Sequence, residues 1–220
     1  NVGRFKNQVG TFTPPNDILV STTVLRTLSD QDLRSGMGEM IKVHIISGWD
    51  DLRAIQKDYF KLFEDPELME HYIHRSLEIK QSKIEVDEFD RNERLVMNYG
   101  HSFGHAIESA SEYRVPHGIA VTIGMDLANY LACRLQLTDS DVHEEIQPLL
   151  RANYSGFERC EIPASEFFTA LTHDKKNREG LLSMILMTSP GDMALHRTPL
   201  DDRFKGICLE YFEELRTVRQ

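Results

Sequence analysis

The sequence has few cysteines, and those it has are scattered. Cys133, Cys160 and Cys208 are the three, and none belongs to a CxxC pair. A disulfide-stapled secreted domain is rich in cysteines, usually in even number, and a closed structural zinc site needs closely spaced cysteine pairs, so the sequence favours neither class. We interpret the three as free thiols of a protein in a reducing compartment, and expect a cytoplasmic location.

Long apolar runs and an excess of positive charge are missing too. No stretch of the sequence approaches the ~20 apolar residues that a membrane-spanning helix needs, and no signal-peptide pattern is present. The net charge is -10, which argues against a nucleic-acid or anionic-membrane partner, because such binders carry a basic face. With 40% hydrophobic and 27% charged residues, the chain is typical of a soluble protein with a hydrophobic core.

Apolar periodicity predicts a mainly α chain with a few short strands at both ends. Ser29 is expected to cap the first long helix, with Asp30 and Asp32 in its first turn. We predict helices over residues 30–44, 50–63, 66–85, 91–111, 119–135, 139–153, 164–171 and 200–216, and strands over 17–20, 182–187 and 193–196. Residues 1–28 are expected to be linker and strand, and residues 29–220 to be one helical domain.

The densest chemical signal is a pair of histidines, His101 and His105, each preceded by a glycine. Histidines at i and i+4 share one helix face, so both can reach one metal, or one can bind metal while the other meets substrate. Taken alone, the pair is just as typical of an amphipathic helix without a ligand. A third histidine, His117, lies between a proline and a glycine at the entry of an apolar helix. His143 is expected on a helix surface.

A carboxylate and several basic side chains complete the chemical set. Glu39 is flanked by apolar residues, and a lone buried carboxylate is costly unless it is paired or ligates a metal. Two imidazoles, one carboxylate and an open position are typical of catalytic zinc. Each basic side chain alone is best interpreted as solvated surface, but together they suit a substrate with a phosphate and a carboxylate. The basic group is Lys6 with Asn7 beside it, Lys42, Lys80, Arg94, Lys175 and Lys176.

Six segments resemble motifs of the 3-dehydroquinate synthase family, in order and over nearly the whole chain. They are KNQVGTF (6–12), GEMIK (38–42), a lysine at 80 seven residues before an Asp-Glu pair, RLVMNYGHSFGHAIE (94–108), HGIAVTIGM (117–125) and DKK (174–176). The GHxxGHAIE and HGxAVxIGM pair is far more specific than the histidine spacing alone. The chain departs from the family's DExE segment, because Asp90 stands where the family has Glu.

The resemblance implies the helical C-terminal domain of the dehydroquinate synthase-like fold. We expect this chain to lack the family's N-terminal nucleotide-binding α/β domain, because no Gly-rich segment stands before Asn1. Residues 1–28 would then be the linker and strand at the end of that domain. Most residues that bind the NAD cofactor would lie in the missing part, and this fragment alone is expected to be inactive.

Roles for individual residues follow from the resemblance by position. It implies that Glu39, His101 and His117 bind a divalent metal, Zn²⁺ or Co²⁺. Lys42 would contact substrate hydroxyls, Lys80 and Arg94 would hold a carboxylate, and His105 would transfer protons. The phosphate would be surrounded by Asn98, His105, Asn7 and one of Lys175 and Lys176, with Lys6 and Asp90 as further substrate-binding candidates.

The implied activity is conversion of 3-deoxy-D-arabino-heptulosonate 7-phosphate to 3-dehydroquinate and phosphate, with catalytic NAD and a divalent metal. It belongs to the shikimate pathway of aromatic amino acid biosynthesis, and the family implies a homodimer. Three alternatives stay open. They are a sister cyclase of the 2-deoxy-scyllo-inosose or valiolone type, a related metal-dependent polyol-phosphate dehydrogenase, and a metal-stabilised helical module without enzymatic activity.

Overall fold

A computed structural model describes residues 16–87, 93–174 and 177–217 of the chain. The α-helices are α1 (Asp30–Ser47), α2 (Trp49–Asp58), α3 (Pro66–Val86), α4 (His101–Ala110), α5 (His117–Arg134), α6 (Ser140–Tyr154), α7 (Ala164–Thr172) and α8 (Asp202–Thr217). Short 3-10 helices span Thr22–Thr27, Tyr59–Phe63 and Glu93–Asn98, and the strands are β1 (Leu182–Ser189) and β2 (Asp192–Thr198). The predicted fold class, mainly α with little β, is confirmed.

Helix α1 begins at the cap that was predicted for it, and α3 begins at the predicted residue. The Ser29 side chain accepts a hydrogen bond from the Asp32 N–H, which satisfies one of the free donors in the first turn of α1. At α3, Asp65 accepts from two backbone N–H groups and Pro66 occupies the first helical position. Proline suits that position because its missing N–H would have no partner there.

Helix α5 is the centre of the molecule. Its residues Ile119, Ile123, Leu127 and Leu131 are completely buried. The neighbours that pack against it are α1, α4, α6, α8 and β1. A helix that is apolar around most of its circumference is stable only when other elements enclose it, so the core is built around α5. Among the described residues, no helix has both the length and the apolar character that a membrane crossing requires.

The two strands form the antiparallel hairpin that was predicted near the end of the chain. Leu182 lies opposite Thr198, and the turn contains Gly191 with a φ of +86°. The Gly191 N–H donates to the Ile45 carbonyl oxygen at 2.9 Å, which ties the hairpin to α1. Strand β1 faces the core and β2 is mostly exposed, so the hairpin covers one side of the helical bundle.

The strand predicted at residues 17–20 was not found. These residues pair with no strand in the described part of the chain, and the side chain of Leu19 is 97% exposed. An apolar run forms a strand only when a neighbouring strand supplies its hydrogen bonds. Residues 17–20 therefore expose an apolar surface, but they do not form the predicted strand.

The single helix predicted over residues 91–111 is two helices. A 3-10 helix ends at Asn98, and α4 begins at His101. Gly100 lies between them with a φ of +75°, a left-handed conformation that interrupts a right-handed helix. The break changes the direction of the chain immediately before the two histidines.

Candidate metal centre

Helices α1 and α5 approach each other through glycines. A Cβ at Gly118, the second residue of α5, would overlap the Ser35 carbonyl oxygen of α1. A Cβ at Gly38 of α1 would overlap the Gly118 carbonyl oxygen in return. The backbones are therefore in contact, which only a residue without a Cβ permits. This contact brings Glu39 of α1 next to His117, the first residue of α5.

Helix α4 is held against α5 in the same way. A Cβ at Gly124 would overlap the Gly100 carbonyl oxygen, and one at Gly104 would lie 2.9 Å from the Val121 Cα. Neither glycine could therefore carry a side chain unless the backbone of a neighbouring helix moved. The crossing brings His101, the first residue of α4, to the Glu39 side of α5.

Glu39 lies at the centre of the cluster that results. Its Oε1 is 3.2 Å from Nε2 of His101 and 3.3 Å from Nε2 of His117. That oxygen is buried, and neither imidazole nor any other group in the described ranges makes a well-formed hydrogen bond to it. A buried carboxylate oxygen without such a bond is costly, so a cation between these three side chains would stabilise it.

The distance from Oε1 of Glu39 to each of the two imidazole nitrogens suits one divalent metal. In a tetrahedral site with bonds of about 2.0–2.1 Å, neighbouring donor atoms lie roughly 3.3 Å apart. The two contacts of Glu39 have this length. One carboxylate and two imidazoles leave a fourth position for a substrate oxygen or water. The side chain of His117 is 43% exposed and that of His101 14%, so the cluster is open to solvent on the His117 side.

Both histidines are oriented through their second ring nitrogen. Nδ1 of His101 lies 3.2 Å from the Tyr99 carbonyl oxygen, and Nδ1 of His117 lies 2.9 Å from Oε2 of Glu108. An imidazole that donates from Nδ1 presents the lone pair of Nε2 to a metal. Each ring is thus held with its ligating nitrogen facing Glu39.

His105 completes a second, overlapping group. One ring nitrogen from each of His101, His105 and His117 can be chosen so that all three lie within 4.8 Å of one another. The His105 ring centroid is 5.4 Å from that of His101 and 5.6 Å from that of His117. A His105 imidazole can therefore reach a molecule bound to the metal position, as a proton-transfer group must.

Lys42 neutralises the other oxygen of Glu39. Its Nζ donates to Oε2 at 2.8 Å, and the lysine is almost fully buried, with 3% exposed. Burial alone would raise the pKa of Glu39, but its contacts with His101, His117 and Lys42 outweigh burial and hold that pKa well below its usual range. Glu39 is thus an anion throughout the physiological pH range, as a metal ligand should be.

The two histidines next to Glu39 differ in protonation. Burial lowers the pKa of His101, so its imidazole is neutral at physiological pH. The hydrogen bond with Glu108 and the nearby carboxylate of Glu39 outweigh burial and raise the pKa of His117 to about 9, so its ring is protonated when no metal is bound. The proton on His117 stabilises two nearby carboxylates that a metal ion would otherwise help to neutralise.

Lys80, Arg94 and Asn98 lie on elements that pack against α1, the helix of Glu39. Lys80 is half-buried on α3, while Arg94 and Asn98 are half-buried on the 3-10 helix that leads into α4. The Arg94 N–H donates to Oδ2 of Asp87 at 3.1 Å, and the Asn98 amide donates to the Leu95 carbonyl oxygen. Their assignment to substrate stays a prediction.

Five predicted substrate-binding residues fall outside the described ranges. These are Lys6, Asn7, Asp90, Lys175 and Lys176. The structure places Glu39, Lys42, His101, His105 and His117 together, and these residues define the candidate metal centre.

Sequence reasoning missed one residue of the centre and misplaced another histidine. Glu108 is seven residues after His101, so the two share a helix face, a spacing that could have identified it. His143 was expected on a surface but is buried, with 8% exposed. That expectation was wrong because His143 faces Asp126 of α5, a residue of the core helix that no local pattern connects to α6.

The fold just described is also that of the helical domain of sugar-phosphate cyclases. The 2-deoxy-scyllo-inosose synthase in complex with carbaglucose-6-phosphate, NAD+ and Co2+ is similar with a TM-score of 0.76 and 24% identity, covering 93% of this chain and 59% of that one. The 2-epi-5-epi-valiolone synthase of Streptomyces hygroscopicus subsp. jinggangensis, with NAD+ and Zn2+ bound, has a TM-score of 0.76 and 22% identity, covering 95% and 59%. At identities of 24% and 22%, the similarity to these two enzymes shows a shared fold and nothing more.

The family follows from sequence. Residues 36–177 match the 3-dehydroquinate synthase C-terminal domain. The 3-dehydroquinate synthase of Streptococcus sanguinis is 34% identical over 206 residues, which cover 90% of this chain and 56% of that protein. The one from Dehalococcoides mccartyi is 33% identical over 217 residues, covering 98% and 59%. The chain belongs to the 3-dehydroquinate synthase family, and it spans a little over half the length of these relatives.

Proposed function

We propose that this chain is the metal- and substrate-binding domain of a 3-dehydroquinate synthase. The reaction would convert 3-deoxy-D-arabino-heptulosonate 7-phosphate to 3-dehydroquinate and phosphate, with NAD and a divalent metal as cofactors. The relatives that the chain resembles over 90% of its length carry this name. NAD and Co2+ or Zn2+ accompany the two cyclases of the same fold.

The observation that carries the proposal is the position of the buried Oε1 of Glu39, which has no well-formed hydrogen bond and lies between two imidazole nitrogens at metal-ligand spacing. Glu39, His101 and His117 would hold the ion and leave one side open. A bound divalent metal would act as a Lewis acid that lowers the pKa of a substrate hydroxyl and stabilises a developing oxyanion. NAD would supply transient oxidation of an alcohol to a carbonyl, which would make the C–H of the neighbouring carbon acidic and so allow phosphate to be eliminated from the carbon beyond it.

Side chains of this chain would bind and orient the substrate and transfer protons. Lys42, buried and 2.8 Å from Glu39, would place its ammonium group beside a hydroxyl at the centre. His105 would receive or return a proton at a ring nitrogen, because an imidazole changes protonation near neutral pH. Arg94 and Lys80 would orient the carboxylate end of the substrate, which converts a loose encounter into a fixed reacting geometry.

The test is phosphate release by the protein at its natural length, with NAD and Co²⁺ or Zn²⁺. Three substrates would be offered in parallel: 3-deoxy-D-arabino-heptulosonate 7-phosphate, sedoheptulose 7-phosphate and glucose 6-phosphate. We expect release from the first alone, with no net formation of NADH. Release from either of the others alone would assign a sister cyclase, and net NADH from polyol phosphates without phosphate release would assign a dehydrogenase.

A substitution at the centre tests the metal ligands separately. Glu39→Gln keeps the size of the side chain but removes its charge, so we expect metal affinity and phosphate release to fall by more than the roughly 10–100-fold that loss of an outer-shell partner causes. Glu70→Gln removes an exposed charge from α3 and is the matched control, expected to behave as the parent protein. Equal metal affinity in the Glu39→Gln variant and the parent would contradict the ligand assignment.

A further inference from the structure

Glu108 is a carboxylate in an unfavourable place on its own helix. It lies in the last turn of α4, where the helix dipole disfavours negative charge. Its side chain is 16% exposed, so it also loses most of its hydration. A carboxylate under both penalties requires a specific partner, and the partner in the described structure is the His117 ring.

The contact between Glu108 and His117 has the geometry of a hydrogen bond that fixes a ring. Oε2 of Glu108 lies 2.9 Å from Nδ1 of His117, while Nε2 of the same ring lies 3.3 Å from Oε1 of Glu39. The two carboxylates thus hold opposite nitrogens of one imidazole. A ring that donates from Nδ1 to Glu108 has its Nε2 lone pair directed at the metal position.

His117 needs such an anchor more than His101 does. The side chain of His117 is 43% exposed, against 14% for His101, which is fixed by a backbone carbonyl within its own turn. The loop that leads to His117 contains Glu112 and Tyr113, both with positive φ. An exposed ring after a turn of this kind can rotate unless a buried group holds it.

We infer that Glu108 is a positioning residue for the metal ligand His117: it fixes the ring orientation and tautomer so that Nε2 binds the ion. This inference rests on the proposed function, because it assumes that His117 binds a metal. Partners of this kind typically change metal affinity 10–100-fold when they are removed. The same carboxylate would increase the electron density of the imidazole, which strengthens the bond to the metal.

The experiment measures Zn²⁺ affinity by competition with a chromophoric chelator, in the protein at its natural length. Glu108→Gln keeps an oxygen acceptor but loses the charge, and we expect a loss of about 10-fold. Glu108→Ala loses both and is expected to lose up to about 100-fold. Glu144→Gln, an exposed position on α6, is the matched control and should match the parent.

A double-variant cycle separates positioning from a general effect on stability. In a His117→Ala background, Glu108→Gln should change Zn²⁺ affinity less than two-fold, because the ring that it positions is gone. The visible absorption of bound Co²⁺ gives a second readout, since a rotated ligand changes the coordination bands, whereas a stability loss alone does not.

The outcomes distinguish a failure of the proposed metal centre from a failure of the role assigned to Glu108. If the parent protein binds no Zn²⁺ or Co²⁺, the proposed function fails. If the parent binds metal and Glu108→Gln leaves both affinity and Co²⁺ spectrum unchanged, the role of Glu108 is overturned while the metal centre stands. If Glu108→Gln weakens binding equally with and without His117, Glu108 acts on the centre by another route and the inference also fails.

Discussion

Asp126 sits in the middle of the core helix α5 with no exposed surface. Its Oδ1 lies 2.7 Å from Nε2 of His143 on α6. Its Oδ2 accepts hydrogen bonds from the hydroxyls of Tyr154 at 2.7 Å and Tyr211 at 3.1 Å. A buried carboxylate is tolerated when donors and a positive charge surround it, so this group joins α5 to α6 and α8.

The pairing makes stability depend on pH in a defined direction. Burial lowers the pKa of His143, but hydrogen bonds with Asp126 and Cys133 outweigh burial and raise it from 6.5 to about 9. Because the folded pKa lies above the unfolded one, this stabilisation is complete below pH 6.5 and is lost as the pH rises to 9. We expect the free energy of unfolding to fall by roughly 3 kcal/mol over that interval on account of His143.

Urea unfolding of the parent and of a His143→Gln variant, at pH 6.5 and pH 9 without metal, measures this contribution. His117, whose pKa is also about 9, gives both proteins the same background dependence. The pH-dependent decrease should therefore be smaller in the variant by roughly 3 kcal/mol. Parallel stability curves for the two proteins would show that His143 does not titrate as its contact with Asp126 requires.

Single residues differ in how far the sequence could predict them. His101, His117 and Glu39 were predicted together because their neighbours in sequence, glycines and apolar residues, are specific to the motifs. His143 has no such context: its burial depends on Asp126, which is far away in the sequence and lies in an apolar helix. Long-range pairs of polar residues leave no periodic signal, so only a structure can identify them.

At the level of helices, the site depends on backbone contact between α1 and α5. An alanine at Gly118 would place its Cβ against the Ser35 carbonyl oxygen, and the two helices would have to separate. We expect Gly118→Ala to lower the free energy of unfolding by about 1–3 kcal/mol or more. It should also weaken metal binding, because Glu39 and His117 would move apart.

Gly36→Ala is the matched control for this prediction. Gly36 is on the same helix α1, two residues before Gly38, and a Cβ there would meet no atom within 4 Å. It should raise the free energy of unfolding by up to about 1 kcal/mol, because alanine is the better helix former. Chemical denaturation and Zn²⁺ titration of both variants test the pair, and equal effects of the two substitutions would refute the role of helix approach.

Helices were predicted better than their junctions. The cap at Ser29, the helix after Pro66 and the hairpin around Gly191 have local causes in the sequence, and all three were found. The break at Gly100 was missed because the apolar spacing continues across it. From sequence alone, a glycine in a helical pattern can lie within a helix or end it. The close approach of a second helix, which decides between the two, is visible only in the structure.

Across the whole molecule, the metal centre joins segments that are far apart in sequence. Glu39, His101 and His117 come from α1, α4 and α5, and the unfolded chain has no preformed site. A metal that binds only the folded state stabilises it by about 2.7 kcal/mol when its concentration is 100 times the dissociation constant. For a chain of this size we expect Tm to rise by about 5–10 °C.

Thermal unfolding with a chelator and with excess Zn²⁺ tests this expectation, with Glu39→Gln as the variant that should show little increase. A Tm of the parent that is the same in both conditions, together with measured Zn²⁺ binding, would place the bound ion away from the folded centre.

The apolar segment at residues 17–20 also has its explanation at this scale. Ile18 and Leu19 are 70% and 97% exposed, and no neighbour in the described part of the chain covers them. The chain spans 56% of one relative and 59% of another. Whether a segment pairs as a strand depends on which other elements lie beside it. The pattern within one segment does not contain this information.

The close approach of α1 and α5 also controls how one amide proton of α5 exchanges with solvent. Helix α5 has no side-chain cap of its own at Pro116, and the Gly118 N–H donates instead to Oγ of Ser35, one turn before Glu39 on α1. The Gly118 amide proton can therefore exchange with solvent only when α1 and α5 separate at this point. The slow exchange of that single proton would report how often the ligands from these two helices come apart, and metal binding would slow it further.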